Sequence, residues 1–304
     1  MLVIQLVSYA AVAIAMIALI AKAVRYATAP EHFRWELYPV PHEKGRFQYG
    51  GSFVEELDWW TRPRHPDRLN ELKEMMQEIF FLKGVFHHNK RVWRFSFPFH
   101  FGLYLCTGWL GLLVLGSILQ MSGVNVSAKA GAAGAFTHYL TASVGYTGLI
   151  LTALGALGLF IWRLSEEQRI YNSFAEYFNL VLFDVVAVIT LIAAMTSDPG
   201  FSYSRDYMQS LVTFSSYRAP SPLFAVAVVM VSLLGMYIPL TRMAHFVAKF
   251  FLYHDVRWND QPNARGSKIE KHIIELLGQK VTWSAPHVRG DRTWKEVARD
   301  TSNE

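Results

Sequence analysis

Three of the chain's eleven histidines, His100, His138 and His245, fall inside or at the edge of long apolar runs. His100 stands in WRFSFPFHFG (93–102) and His245 in IPLTRMAHF (238–246), each with an arginine within two turns, Arg94 and Arg242. Two neutral imidazoles at one depth, facing each other across a flat macrocycle, are what bis-histidine ligation of a b-type haem requires. On a helix, Tyr104, Thr107, Gly108 and Gly111 share the His100 face, and the glycines leave room for a ring to lie against it. Arg94 and Arg242 would neutralise the propionates. His100 and His245 are thus the expected metal ligands. The competing reading is two interfacial histidines, each hydrogen-bonded to a neighbour.

His138 falls at the opposite end of its run and does not join that pair. It has three readings: a ligand of a second haem, a partner of Lys129 on a quinone carbonyl, or an interfacial histidine. Gly145, Gly148 and Gly155 lie on broadly its side, where small residues more often serve close helix packing. Asp184 is an intramembrane carboxylate, which makes it either a functional group or a side chain reaching back to the interface.

These residues need elements that hold them at defined depths. The chain has 304 residues, 52% of them hydrophobic, with a mean hydropathy of +0.18. The apolar residues are concentrated in five runs, near 2–21, 99–120, 137–161, 178–196 and 222–247. A helix of about 20 residues crosses the roughly 30 Å hydrocarbon core, and these runs are too long for barrel strands. The expected fold is an all-α integral membrane protein, a five-transmembrane-helix bundle. It has a long cytoplasmic insertion between helices 1 and 2 and a cytoplasmic C-terminal tail. Its divisions are a first transmembrane helix (1–24), a cytoplasmic segment (25–98), a four-helix core (99–247) and the tail (248–304). Ala21-Lys22-Ala23 has the form of a signal-peptidase site, but no basic residue precedes the run, so the first helix is expected to stay.

Lysine and arginine set the orientation. Segment 25–98 carries twelve and the chain from 248 onward carries ten, whereas 121–136 has only Lys129 and 197–220 only Arg205 and Arg218. The amino terminus is expected outside the cytoplasmic membrane and the carboxyl terminus in the cytoplasm. The net charge of +5 reflects this bias, and no nucleic-acid-binding motif accompanies it. The single cysteine, Cys106, ligates no iron–sulfur cluster by itself, so any such chemistry belongs to a partner. Residues from Pro66 to about Asn89 read as an amphipathic helix on the bilayer surface or against a partner. In the tail, 267–279 reads as a helix, and the stretch 281–298 as a docking surface or a disordered end.

The five-helix plan, the histidine early in helix two and IPLTRMAHF ending helix five resemble the cytochrome b (gamma) subunit of respiratory nitrate reductase. SAKAGAAGAF (127–136) and MQSLVTF (208–214) are similar to it as well. The resemblance covers roughly 99–250. It implies a membrane quinol oxidoreductase subunit that passes electrons through haem b to a cytoplasmic iron–sulfur subunit. His100 and His245 match that family's inner ligand pair. Leu110 and Ala227 stand where its outer pair falls, so one haem is expected, with a second only if His138 supplies a ligand. The long segment 25–98 is more similar to relatives that accompany heterodisulfide-reductase-like iron–sulfur proteins. On this reading the partners are menaquinone, the iron–sulfur subunit and the bilayer, with a periplasmic multihaem cytochrome as a further candidate. The alternatives are a non-redox membrane anchor and a nitrate reductase gamma subunit proper.

Overall fold

A computed structural model describes residues 2–29, 40–259, 261–285 and 288–300. Part of the cytoplasmic segment expected over 25–98 lies outside them. The helices are α1 (Leu2–Ala27), α2 (Arg68–Phe81), α3 (Lys83–His88), α4 (Lys90–Met121), α5 (Ala132–Arg163) and α6 (Glu166–Arg169). There follow α7 (Phe174–Ser197), α8 (Ser202–Thr213), α9 (Pro222–Leu240), α10 (His245–Phe251), α11 (Lys268–Gly278) and α12 (Trp294–Val297). Among the described residues there is no β-strand, only isolated bridges. Five helices, α1, α4, α5, α7 and α9, are long and apolar enough to cross a membrane. The chain forms two compact units: Met1–Ile17 with Met75–Thr241, and Ala18–Glu74 with Arg242–Glu304.

In the first unit, α4 and α5 pack backbone to backbone. A Cβ added at Gly155 would lie 2.4 Å from the Phe99 nitrogen, and one at Gly148 would lie 2.9 Å from the Cys106 nitrogen. Gly145 meets the Trp109 indole in the same way. The three glycines therefore serve helix packing, as their spacing suggests. Trp109, Leu113, Ala194 and Phe201 form the buried cluster beyond them.

A short polar stripe holds α1 against this unit. Gln5 Nε2 donates to Ser210 Oγ (3.1 Å) and to the Ser215 carbonyl (2.8 Å). Ser8 hydrogen-bonds both Tyr207 and Ser232 at 2.8 Å, and Tyr9 donates to the Leu211 carbonyl. Residues i, i+3 and i+4 share one helix face, so all three side chains fall on the side turned to the bundle.

Two elements differ from the sequence expectation. The single amphipathic helix is two, because Leu82 adopts φ 51° between α2 and α3. The fifth apolar run does not stay helical to 247. Pro239, inside the last turn, supplies no amide hydrogen to hold that turn. The helix ends at Leu240, Thr241 is extended (φ −112°, ψ −176°), and a 3₁₀ turn (Arg242–Ala244) leads into α10. His245 therefore opens a new helix.

The second unit is built from two distant stretches of chain. Glu43 is fully buried, accepting from Ser52 Oγ (2.9 Å) and the Phe53 amide (3.2 Å). Ile269 and Ile273 of α11 are buried, as are Val281 and Val288. A Thr293–Glu296 capping box starts α12. The tail is thus folded over these residues, while Ile274 and Trp283 stay exposed.

Candidate functional site

His100 lies in the first unit, on the third turn of α4, which starts on the Asn89 cap (Val92 N to Asn89 Oδ1, 3.1 Å). Its ring Nδ1 is 2.7 Å from the Ser96 carbonyl oxygen. A carbonyl only accepts, so in the neutral ring Nδ1 carries the proton and Nε2 the lone pair. Metal-ligating histidines are commonly oriented in this way. Phe99 stands edge-on to the ring at 5.4 Å.

Along the same face, Tyr104 donates its hydroxyl to the Ile79 carbonyl (2.7 Å) and meets the Phe80 ring edge-on. The end of α2 therefore covers Tyr104. Past it the face is open: a Cβ at Gly108 would find only Val144 Cγ1 at 3.9 Å, and one at Gly111 nothing within 4 Å. Both glycines are exposed on the helix surface. Arg94 is exposed on α4.

His245 and Arg242 belong to the second unit. The carbonyls of Arg242 and Met243 accept hydrogen bonds from the His245 ring. Desolvation, with the Lys249 charge one turn on, holds its imidazole below the ordinary histidine value in spite of those bonds. The residue is exposed, and the shift favours the neutral imidazole. Arg242 is exposed.

At the far end of α4, His138 sits beside the turn after α7. A Cβ at Gly200 would lie 2.6 Å from His138 Cε1, and His138 Nδ1 is buried without a hydrogen-bond partner. Lys129 is exposed in the preceding loop. Among the described residues no hydrogen bond joins the two.

The sequence reading missed the most buried charges of this unit, Asp198 and Arg205, each 1% exposed. The Asp198 carboxylate caps α8, accepting from the Tyr203 and Ser204 amides (3.0 and 2.8 Å) and the Ser204 hydroxyl (2.7 Å). Arg205 donates to the Gly200 carbonyl (3.1 Å) and the Val126 carbonyl (3.0 Å). Burial pushes the Asp198 carboxyl up, against those bonds, and draws the Arg205 guanidinium down. The signal was the DPG turn followed by a serine-rich helix start, which was left unread.

Between these ends lies an apolar cavity of about 310 Å³. Leu110 and Ala227 both line it, as do Trp109, Phe201 and Thr190. It offers no histidine, so the residues present do not fit a second haem held by two imidazoles.

The fold and this site define an all-helical chain with five membrane-length helices and an oriented histidine on one of them. The chain matches no family model, no curated protein and no solved structure.

Proposed function

We propose that the chain is a multi-pass cytochrome b subunit of the cytoplasmic membrane. It exchanges electrons between menaquinone and a cytoplasmic, heterodisulfide-reductase-like iron–sulfur subunit. One b haem is held by His100 and His245, with Arg94 and Arg242 as cations for its propionates. The observation that carries this reading is the His100 Nδ1–Ser96 carbonyl bond, which presents the Nε2 lone pair, beside the open face at Gly108 and Gly111. When bound, the haem supplies a one-electron redox centre. The chain's own part is to orient the imidazoles and keep them neutral. His138 and Lys129 would hydrogen-bond a quinone carbonyl, and the buried, unpartnered Nδ1 of His138 favours that role.

A pyridine haemochrome assay on the purified chain tests this. One haem per chain is expected, lost in His245→Ala. Two haems per wild-type chain would refute the single-haem assignment. No haem would leave a membrane anchor, the reading that Leu110 and Ala227 at the outer ligand positions favour.

A further inference from the structure

The apolar cavity of the first unit, about 310 Å³, has no part in the electron-transfer reading. Its walls come from α1, α4, α7, α8 and α9, and they are almost wholly hydrocarbon. Ala11 and Ala15 line it from α1 and Ala227 from α9. The two alanines of α1, four residues apart, share one helix face, and their short side chains leave the space beside it unfilled.

Among the described residues no lysine or arginine lines the cavity. The polar groups of the wall are engaged with one another. Ser8 Oγ lies 2.8 Å from both Tyr207 Oη and Ser232 Oγ, and the Ser204 hydroxyl donates to Asp198 at 2.7 Å. Trp109 Nε1 and Thr190 Oγ1 lack a partner, but both atoms are buried within the wall, so an occupant does not touch them. A water molecule needs two to four polar partners to stay in such a space. Left empty, the wall atoms forfeit their dispersion contacts on one side. Hydrocarbon is what the cavity suits.

The cavity is not sealed. Val12 and Met16 of α1 and Gly235 of α9 line it and are also exposed. A Cβ at Gly235 would meet nothing within 4 Å. The opening therefore lies between α1 and α9, two helices of membrane length. In a bilayer, such an opening faces lipid chains.

We propose that the cavity takes one acyl chain of a bilayer phospholipid, which enters between α1 and α9 and leaves its headgroup outside. A space of twice the roughly 150 Å³ that admits a benzene ring has room for about twelve carbons, most of one chain. With no cation in the wall, a phosphate headgroup finds no counter-charge there. The chain fills the gap beside α1, whose polar contacts with the bundle come from its first turns, at Gln5, Ser8 and Tyr9. The inference rests on the membrane part of the proposed function and not on its haem.

The test uses the full chain reconstituted in phosphatidylcholine vesicles whose acyl chains carry bromine at mid-chain, which quenches indole emission only on contact. Trp109 lines the cavity and is 6% exposed, so lipid around the bundle does not reach it. Its emission is the difference between wild type and Trp109→Phe. That difference should fall by half or more relative to unbrominated vesicles. Gly235→Phe sets a ring in the open space of the mouth and should restore at least half of the lost emission. Flotation with the vesicles is read first: a chain that stays behind overturns the membrane reading and this inference with it. A chain that floats but keeps its full Trp109 emission overturns the inference alone, as does unchanged quenching in folded Gly235→Phe. Recovery of wild-type emission on adding a trace of an isoprenoid alcohol would overturn the acyl assignment and give the cavity to an isoprenoid chain.

Discussion

Arg205 Nη2 donates to the carbonyl oxygen of Val126, 3.0 Å away, and so joins the loop before α5 to the first turn of α8. Ser117 of α4 closes the same knot by donating to the Arg205 carbonyl at 2.8 Å. Arg205 thus holds three parts of the first unit together at the end where His138 sits, α4 through its backbone carbonyl and the loop before α5 through its buried guanidinium.

Replacing that cation should be costly. Arg205→Met keeps the side-chain bulk but leaves the Gly200 and Val126 carbonyls without their donor and Asp198 without its nearby cation. Breaking a buried charge arrangement by removing one partner costs about 3–5 kcal/mol. The expected result is a large drop in the thermal midpoint of the detergent-solubilised protein. A midpoint within the error of wild type would mean that the cluster contributes little.

How much of this was legible follows from the physics of each feature. The five long helices were, because hydrocarbon thickness makes their length and apolarity readable by eye. Close packing at Gly145, Gly148 and Gly155 was readable from spacing alone. The end of α9 was written in Pro239, but the apolar run continues to Phe246 and hides it. Arg205 looked like a solvated loop residue, because burial of a charge depends on distant carbonyls that a linear reading does not bring together. Arg62, Arg64 and Arg68 were counted only as topogenic charge, since the pairing of Arg62 with Glu56 and of Arg68 with Glu71 is set by the folded backbone.

Two glycines of similar sequence context should answer oppositely. Gly155→Ala puts a methyl group against the Phe99 backbone, which gives way only by separating α4 from α5. Overpacking of this kind costs about 1–3 kcal/mol. Gly111→Ala meets nothing within 4 Å, and only the usual helix-propensity gain of up to about 1 kcal/mol applies. Melting curves of the two variants should move in opposite directions.

The same open face gives a functional contrast. Gly111→Phe should leave the fold intact, because its side chain enters empty space, yet it should lower bound haem by half or more on the proposed reading. Ser96→Ala removes a hydroxyl 3.3 Å from His100 Nδ1 but keeps the backbone carbonyl that fixes the tautomer. Haem content should therefore survive Ser96→Ala and be lost in His100→Ala. Equal haem in all three variants, read from the Soret band per chain, would remove His100 from the site.

Orientation is the remaining question, and the sole cysteine makes it tractable. Cys106→Ser gives a background without thiols, provided the packing against Thr152 is kept; the sulfur lies 3.8 Å from that hydroxyl. In that background Lys129→Cys marks the loop between α4 and α5, and Lys271→Cys marks α11. On the proposed topology, which follows the lysine and arginine bias, the first lies outside and the second in the cytoplasm. A membrane-impermeant maleimide applied to intact cells should then label position 129 and reach position 271 only after lysis. The reverse pattern would invert the topology. It would also move His100 and His245 to the outer side, and an iron–sulfur partner in the cytoplasm would lose its nearest redox centre.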